Sequence, residues 1–129
     1  MGIYRSTVDG MGTEYVYPQE NGHREQVKWF SIGNERYSLL CCMAHPMGLN
    51  LANDTDEALE LAKHPFEVEK SDDVMIHLDY LHSGLGSNSC GEEQLEEYRV
   101  KRQDFSMTFT LQVVETGKEA EQARKQYLD

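Results

Sequence analysis

Acids dominate the residues in this sequence that could take part in chemistry. Twenty-three Asp and Glu stand against 12 Lys and Arg. Paired carboxylates act as general acid and base when their surroundings push their pKa values apart, but the spacing of these acids nominates no pair. Glu92, Glu93, Glu96 and Glu97 fall in one run, where like charges repel and resist burial. A serine nucleophile of the hydrolase type needs a Gly-x-Ser-x-Gly elbow, and the sequence has none. The five histidines lack a His-x-x-x-His or similar spacing. Cys41 and Cys42 are adjacent, so on a strand they point to opposite faces and cannot chelate one ion together. The residues therefore nominate no catalytic group, no metal ligand and no cofactor site.

One stretch is built differently. His82-Ser83-Gly84-Leu85-Gly86-Ser87-Asn88-Ser89-Cys90-Gly91 carries three glycines, three serines and an asparagine in ten residues. Such a loop buries little apolar surface and permits positive φ at several points. A polar loop of this kind, held by a firm strand, is where binding groups sit on a β scaffold. It is also what a plain surface turn looks like, and composition alone leaves both readings open.

The elements that must position it are mostly strands. Val74 to Leu81 is rich in β-formers and leads into the loop. Gln26 to Ile32 alternates, Gly33-Asn34-Glu35 turns, and Arg36 to Met43 returns, which predicts a hairpin. Trp29 on this hairpin reads as core more readily than as a sugar platform. His45 to Leu51 resumes as a short strand after a bend at Pro46. A short helix follows over Thr55 to Lys63, capped by Asn53 or Asp54 and ended by His64-Pro65. Phe66-Glu67-Val68 reads as a further strand. Phe105 to Val114 alternates most cleanly, with Phe105, Met107, Phe109, Leu111 and Val113 on one side. That pattern predicts a strand in the middle of a sheet, its apolar face on the core. Gly117 breaks it, and 118–128 reads as a mostly polar, exposed terminal helix.

Three segments carry a resemblance. Gly2-Ile3-Tyr4-Arg5-Ser6-Thr7-Val8, then Tyr17-Pro18-Gln19-Glu20-Asn21-Gly22, then Ser83 to Gly91 resemble, in order and at about the same spacing, the C-terminal domain of the family 2 glycoside hydrolase β-galactosidases. The likeness runs from about Gly2 to about Val114. It implies an all-β fold: the later part of an antiparallel β-sandwich of the galactose mutarotase-like supersandwich type with one short helix, to which the residues themselves add the C-terminal helix. It implies residues 1–116 as sandwich; the exposed helical tail over 117–129 lies outside the likeness and is read from the residues alone. It further implies that Ser87, Asn88, Ser89, Cys90 and Gly91 approach a β-galactoside and complete the pocket of a retaining enzyme. The catalytic glutamates of that family lie on a barrel domain absent here, so the chain is not catalytic by itself. Some members of the family carry tryptophan where this chain has Cys90, which removes a stacking platform. Tyr17 to Arg24 has two readings: a motif lining the cleft side of the domain, or a solvated loop in which Glu20 pairs with Arg24 at little energetic gain.

Composition sets the remaining limits. A chain of 129 residues fits one domain. A net charge of −11 disfavours nucleic acid and anionic membranes as partners. No stretch reaches the apolar length of a membrane span, and the start lacks a signal-peptide pattern. Three cysteines fit reduced thiols and a cytoplasmic setting. The expected partners are the remaining β-galactosidase domains or subunit, a β-galactoside, and further copies of the chain, since half a sandwich leaves apolar surface open to self-association. A freestanding carbohydrate-binding or interaction domain of β-sandwich fold is the alternative.

Overall fold

The computed structural model describes residues 2–83 and 93–128. The fold is mostly β. Strands β1 (Arg24–Gly33), β2 (Tyr37–Ala52), β3 (Met75–Asp79) and β4 (Phe109–Glu115) form one sheet in the order β1-β2-β3, with β4 also paired to β2. Among the described residues it is accompanied by the helices α1 (Asp56–Leu61) and α2 (Glu119–Leu128), with single 3-10 turns at Asp9–Met11, Pro65–Glu67 and Glu96–Tyr98. The chain divides into two compact units. One comprises the residues through Arg24 with Leu49–Leu78, and the other comprises Glu25–Gly48 with the described residues from Asp79 onward.

The β1–β2 hairpin forms in the second unit as its sequence predicts. Asn34 Oδ1 accepts from the Arg36 and Tyr37 amides at 2.8 and 3.1 Å, so the side chain rather than the strand ladder satisfies these donors. Gly33 is required on steric grounds, because a Cβ there would collide with the Tyr37 carbonyl oxygen and the Ser38 backbone. Pro46 does not break the returning strand: β2 runs 16 residues straight through it. Its ladder with β4 pairs Tyr37 with Glu115 through to Met43 with Phe109, so Pro46 falls beyond the last β4 pair and no β4 carbonyl needs the N–H that it lacks.

The core of the second unit gathers Leu40, Cys42, Val114 and Ala123, with Trp29 partly buried against it. Ala123 belongs to α2, so one face of that helix is anchored although most of its residues stay exposed. The Tyr127 hydroxyl fixes the same helix from the next turn. It accepts from the Met43 amide at 3.2 Å and lies within hydrogen-bonding reach of the Met43 and Lys28 carbonyls.

The strongest strand pattern lands the other way round from its expectation. β4 begins at Phe109 rather than Phe105, pairs only with β2 among the described residues, and buries Val114 beneath α2. Its apolar side is the open one, with Phe109, Leu111 and Val113 exposed by 42, 56 and 72 %. Alternation dictates which residues share a face; it does not dictate which face is covered.

In the first unit the helix is shorter than predicted. Thr55, not Asn53 or Asp54, caps α1, its Oγ1 accepting from the Ala58 amide at 3.1 Å. Asn53 instead donates to the Asp73 carbonyl at 3.0 Å. Phe66-Glu67-Val68 is not a strand. Pro65–Glu67 is a 3-10 turn in which Glu67 Oε2 accepts from the Lys63 and His64 amides at 2.7 and 3.1 Å. A carboxylate reaching back over three or four residues closes a turn that an extended chain would open. These hydrogen bonds, chiefly that from the Lys63 backbone, hold the Glu67 carboxyl below its usual range.

Candidate functional site

Ser87, Asn88, Ser89, Cys90 and Gly91 lie outside the described residues. What is described is the approach to them. β3 ends at Asp79, and the His82 ring nitrogen Nδ1 lies 3.5 Å from Asp79 Oδ2 before the loop begins.

The other motif, Tyr17 to Gly22, is held in a defined geometry within the first unit. Asn21 ties the segment to itself and to the preceding chain: its Oδ1 accepts from the Thr13 amide at 2.6 Å, and its Nδ2 donates to the Gln19 carbonyl at 3.0 Å. Gly22 has φ +83, and a Cβ there would meet the Met11 carbonyl oxygen at 2.9 Å. Only glycine takes that conformation without strain. The Arg24 guanidinium then collects three carbonyls, of Gly22, His23 and Met11, at 2.8 to 3.2 Å. Arg24 is thus a clamp on the backbone.

Glu20 faces other groups. Asn50, on the later part of β2, donates from Nδ2 to Glu20 Oε1 at 3.0 Å. His77, on β3, places Nδ1 at 3.6 Å from the same Glu20 oxygen and Nε2 at 4.0 Å from Asp56 Oδ1 at the start of α1. The His77 imidazole therefore stands between Glu20 and Asp56, and Asn50 holds Glu20 from β2. Asn50 is only 3 % exposed, and its Oδ1 has no hydrogen-bond donor among the described residues. Neither Asn50 nor His77 stands out in the sequence, because Asn50 lies 30 positions from Glu20 and no local spacing links them.

These side chains line a cleft of about 580 Å³, with Tyr15 and Tyr17 beside them. The cleft is rich in acceptors: Glu20, Asp54 and Asp56 supply carboxylates, and Asp54 Oδ1 is buried without a donor among the described residues. Such a lining suits a partner that donates hydrogen bonds, with the tyrosine rings offering flat apolar contact. It does not provide the open carboxylate pair of a glycosidase, since the His77 ring stands between Glu20 and Asp56.

The two described cysteines are structural. Cys41 and Cys42 are free and buried, and burial first, then for Cys41 the neighbouring Cys42 sulfur, raises both thiols above their ordinary range. A thiol in that state is a poor nucleophile at neutral pH.

Comparison with known proteins gives the chain its relatives. Residues 1–111 match the family described as Beta galactosidase small chain. Over 111 residues the chain is 36 % identical to a β-galactosidase of Actinobacillus pleuropneumoniae, which covers 86 % of this chain and 11 % of that protein. It is 28 % identical to a β-galactosidase of Arthrobacter sp. (strain B7) over 78 % of this chain and 10 % of that one. Against a β-galactosidase of Kluyveromyces lactis the identity is 31 % over 75 % of this chain and 10 % of the relative. The chain thus spans about a tenth of the length of the curated relatives it matches.

Proposed function

The chain belongs to the β-galactosidase small chain family, and from that premise we propose that it is the C-terminal part of a family 2 glycoside hydrolase β-galactosidase. In this reading residues 1–116 form the later part of a galactose mutarotase-like antiparallel sandwich, and 117–129 form a helical tail. The loop Ser87-Asn88-Ser89-Cys90-Gly91 approaches the galactoside and completes the pocket of a retaining enzyme. The two glutamates that carry out the hydrolysis sit on a barrel domain elsewhere, so the chain alone turns over no substrate. Its partners are the remaining β-galactosidase domains and, in their absence, further copies of itself. The cytoplasm suits the buried, reduced pair Cys41 and Cys42.

The observation that carries this reading is the family match over residues 1–111 of 129. The experiment is reconstitution. Purified chain mixed with the remaining β-galactosidase domains should raise hydrolysis of a chromogenic β-galactoside well above either part alone. Equal activity with and without the chain counts against it, as does turnover by the chain alone that vanishes on mutating one of its acids.

A second reading, a carbohydrate-binding domain acting without an enzyme partner, draws on the acceptor-rich cleft beside Tyr15 and Tyr17. Titration of the chain with lactose, followed by NMR shifts of residues around Glu20 and His77, tests it. Shifts abolished by Glu20→Gln support it, and an unmoved spectrum at high lactose excludes it.

A further inference from the structure

The open side of β4 is an interaction surface. Phe109, Leu111 and Val113 lie on one face of the strand and are exposed, and Tyr37, at the start of β2 and paired with Glu115, extends the row at 58 % exposure. The opposite face of the same strand is closed by α2 through Val114 and Ala123. β4 also has β2 as its only strand neighbour among the described residues. An apolar row on an edge strand is a surface that soluble proteins avoid leaving bare, because it invites pairing.

We infer that this row docks against an apolar β-sheet face contributed by the rest of the β-galactosidase. The inference rests on the reading of the chain as part of a larger enzyme and names the surface by which it joins. Two observations choose the occupant. About nine tenths of each matched relative lies outside the stretch this chain covers, so the missing partner surface is abundant. A second copy of the chain is the poorer fit, because each copy carries a net charge of −11 and two such bodies repel at close approach. The surface needs a partner with apolar side chains at strand spacing, two residues apart, and few acids around them.

The test is reconstitution with variants. Leu111→Lys combined with Val113→Lys places two charges in the row at exposed positions, where a side chain can point into water without disturbing the core. Phe66→Lys, at an exposed apolar residue off the row, serves as the control. The double variant should keep the circular dichroism spectrum and melting temperature of the parent and lose at least tenfold of the activity recovered on mixing, while Phe66→Lys reconstitutes fully. A double variant that folds and reconstitutes like the parent overturns the inference and leaves the larger reading standing. A parent chain that never joins the remaining domains overturns both. If the double variant abolishes self-association in sedimentation but reconstitutes normally, the row seats a second copy and the inference fails.

Discussion

Cys41 and Leu111 stand directly opposite each other in the β2–β4 ladder and therefore on the same face of the sheet, yet Cys41 has no exposed surface and Leu111 keeps 56 % of its own. Coverage of that face thus ends between two adjacent strands. One strand width separates a sealed thiol from an open leucine, and the chemistry of the two positions diverges accordingly.

The thiols should report this boundary. In the native chain Cys41 and Cys42 should resist iodoacetamide at pH 8, because burial raises their pKa and limits access together. Cys90, which we propose lies at the galactoside, should label first, and a galactoside analogue should slow it in the reconstituted enzyme. Mass-spectrometric mapping after short labelling decides: rapid modification of Cys41 contradicts the burial, and slow modification of Cys90 removes it from the proposed site.

Tyr127→Phe should loosen α2. The substitution leaves the Met43 amide without its hydroxyl acceptor and deprives the Lys28 and Met43 carbonyls of a neighbouring donor. The expected loss is about 1–3 kcal/mol, the usual cost of leaving part-buried groups unpaired. A urea midpoint equal to the parent's would show that Ala123 packing alone holds the helix.

Much of this arrangement is legible in the sequence. The alternation of 26–32 and the Gly33-Asn34-Glu35 turn specify the hairpin because their determinants are local. Pro46 misleads, since its missing N–H matters only where a neighbouring strand needs it, and the β4 ladder ends at Met43. The even pattern of 109–113 gives the faces of β4 and not their orientation, which depends on where α2 lands. The contact of Asn50 with Glu20 has no local signature at all. It arises from tertiary folding that brings a β2 residue to a loop.

Asn50→Asp should test the linkage at Glu20. The introduced carboxylate would sit, buried, where a donor now meets Glu20 Oε1, so two like charges would face each other. The folded state would then hold a proton that the unfolded chain releases, which raises the folded pKa of the introduced carboxyl above its unfolded value. Its penalty is therefore smallest at acid pH and grows as pH rises through the unfolded carboxylate range of about 4. A penalty on the order of 1–3 kcal/mol is expected at pH 7. Urea melts at pH 4 and pH 7 that show the same difference from the parent would contradict the like-charge account.

Glu67 gives the opposite sign. Backbone hydrogen bonds, above all from Lys63, together with the His64 side chain lower its pKa in the folded state. A depressed carboxylate contributes stability above its unfolded pKa and loses it as pH falls through the folded value. Parent and Glu67→Gln should therefore converge in stability at strongly acid pH and separate above about pH 4.5, with the parent the more stable. Curves that run parallel from pH 3 to pH 7 would mean that the charge of Glu67 adds nothing to the turn.

The sharpest structural prediction concerns Gly22, where the Tyr17 to Gly22 motif meets β1. Its φ of +83 lies in the left-handed region, and a Cβ would press on the Met11 carbonyl oxygen at 2.9 Å, the same oxygen that the Arg24 guanidinium holds at 3.2 Å. Gly22→Ala thus carries a conformational cost of about 1–2 kcal/mol together with a clash against fixed backbone. The neighbouring Asn50 Oδ1 would lie 3.5 Å from the added carbon, so the disturbance should reach Asn50 and through it Glu20. Two measurements separate these effects. A lowered urea midpoint reports the strain, and altered NMR shifts of the Asn50 side-chain amide report its transmission. Gly10→Ala is the comparison, because the close contacts there, Ser6 Oγ at 2.9 Å and Thr7 Oγ1 at 3.0 Å, are side-chain atoms that can rotate away. Gly10→Ala should therefore shift the midpoint far less than Gly22→Ala, and equal shifts would refute the left-handed conformation at Gly22.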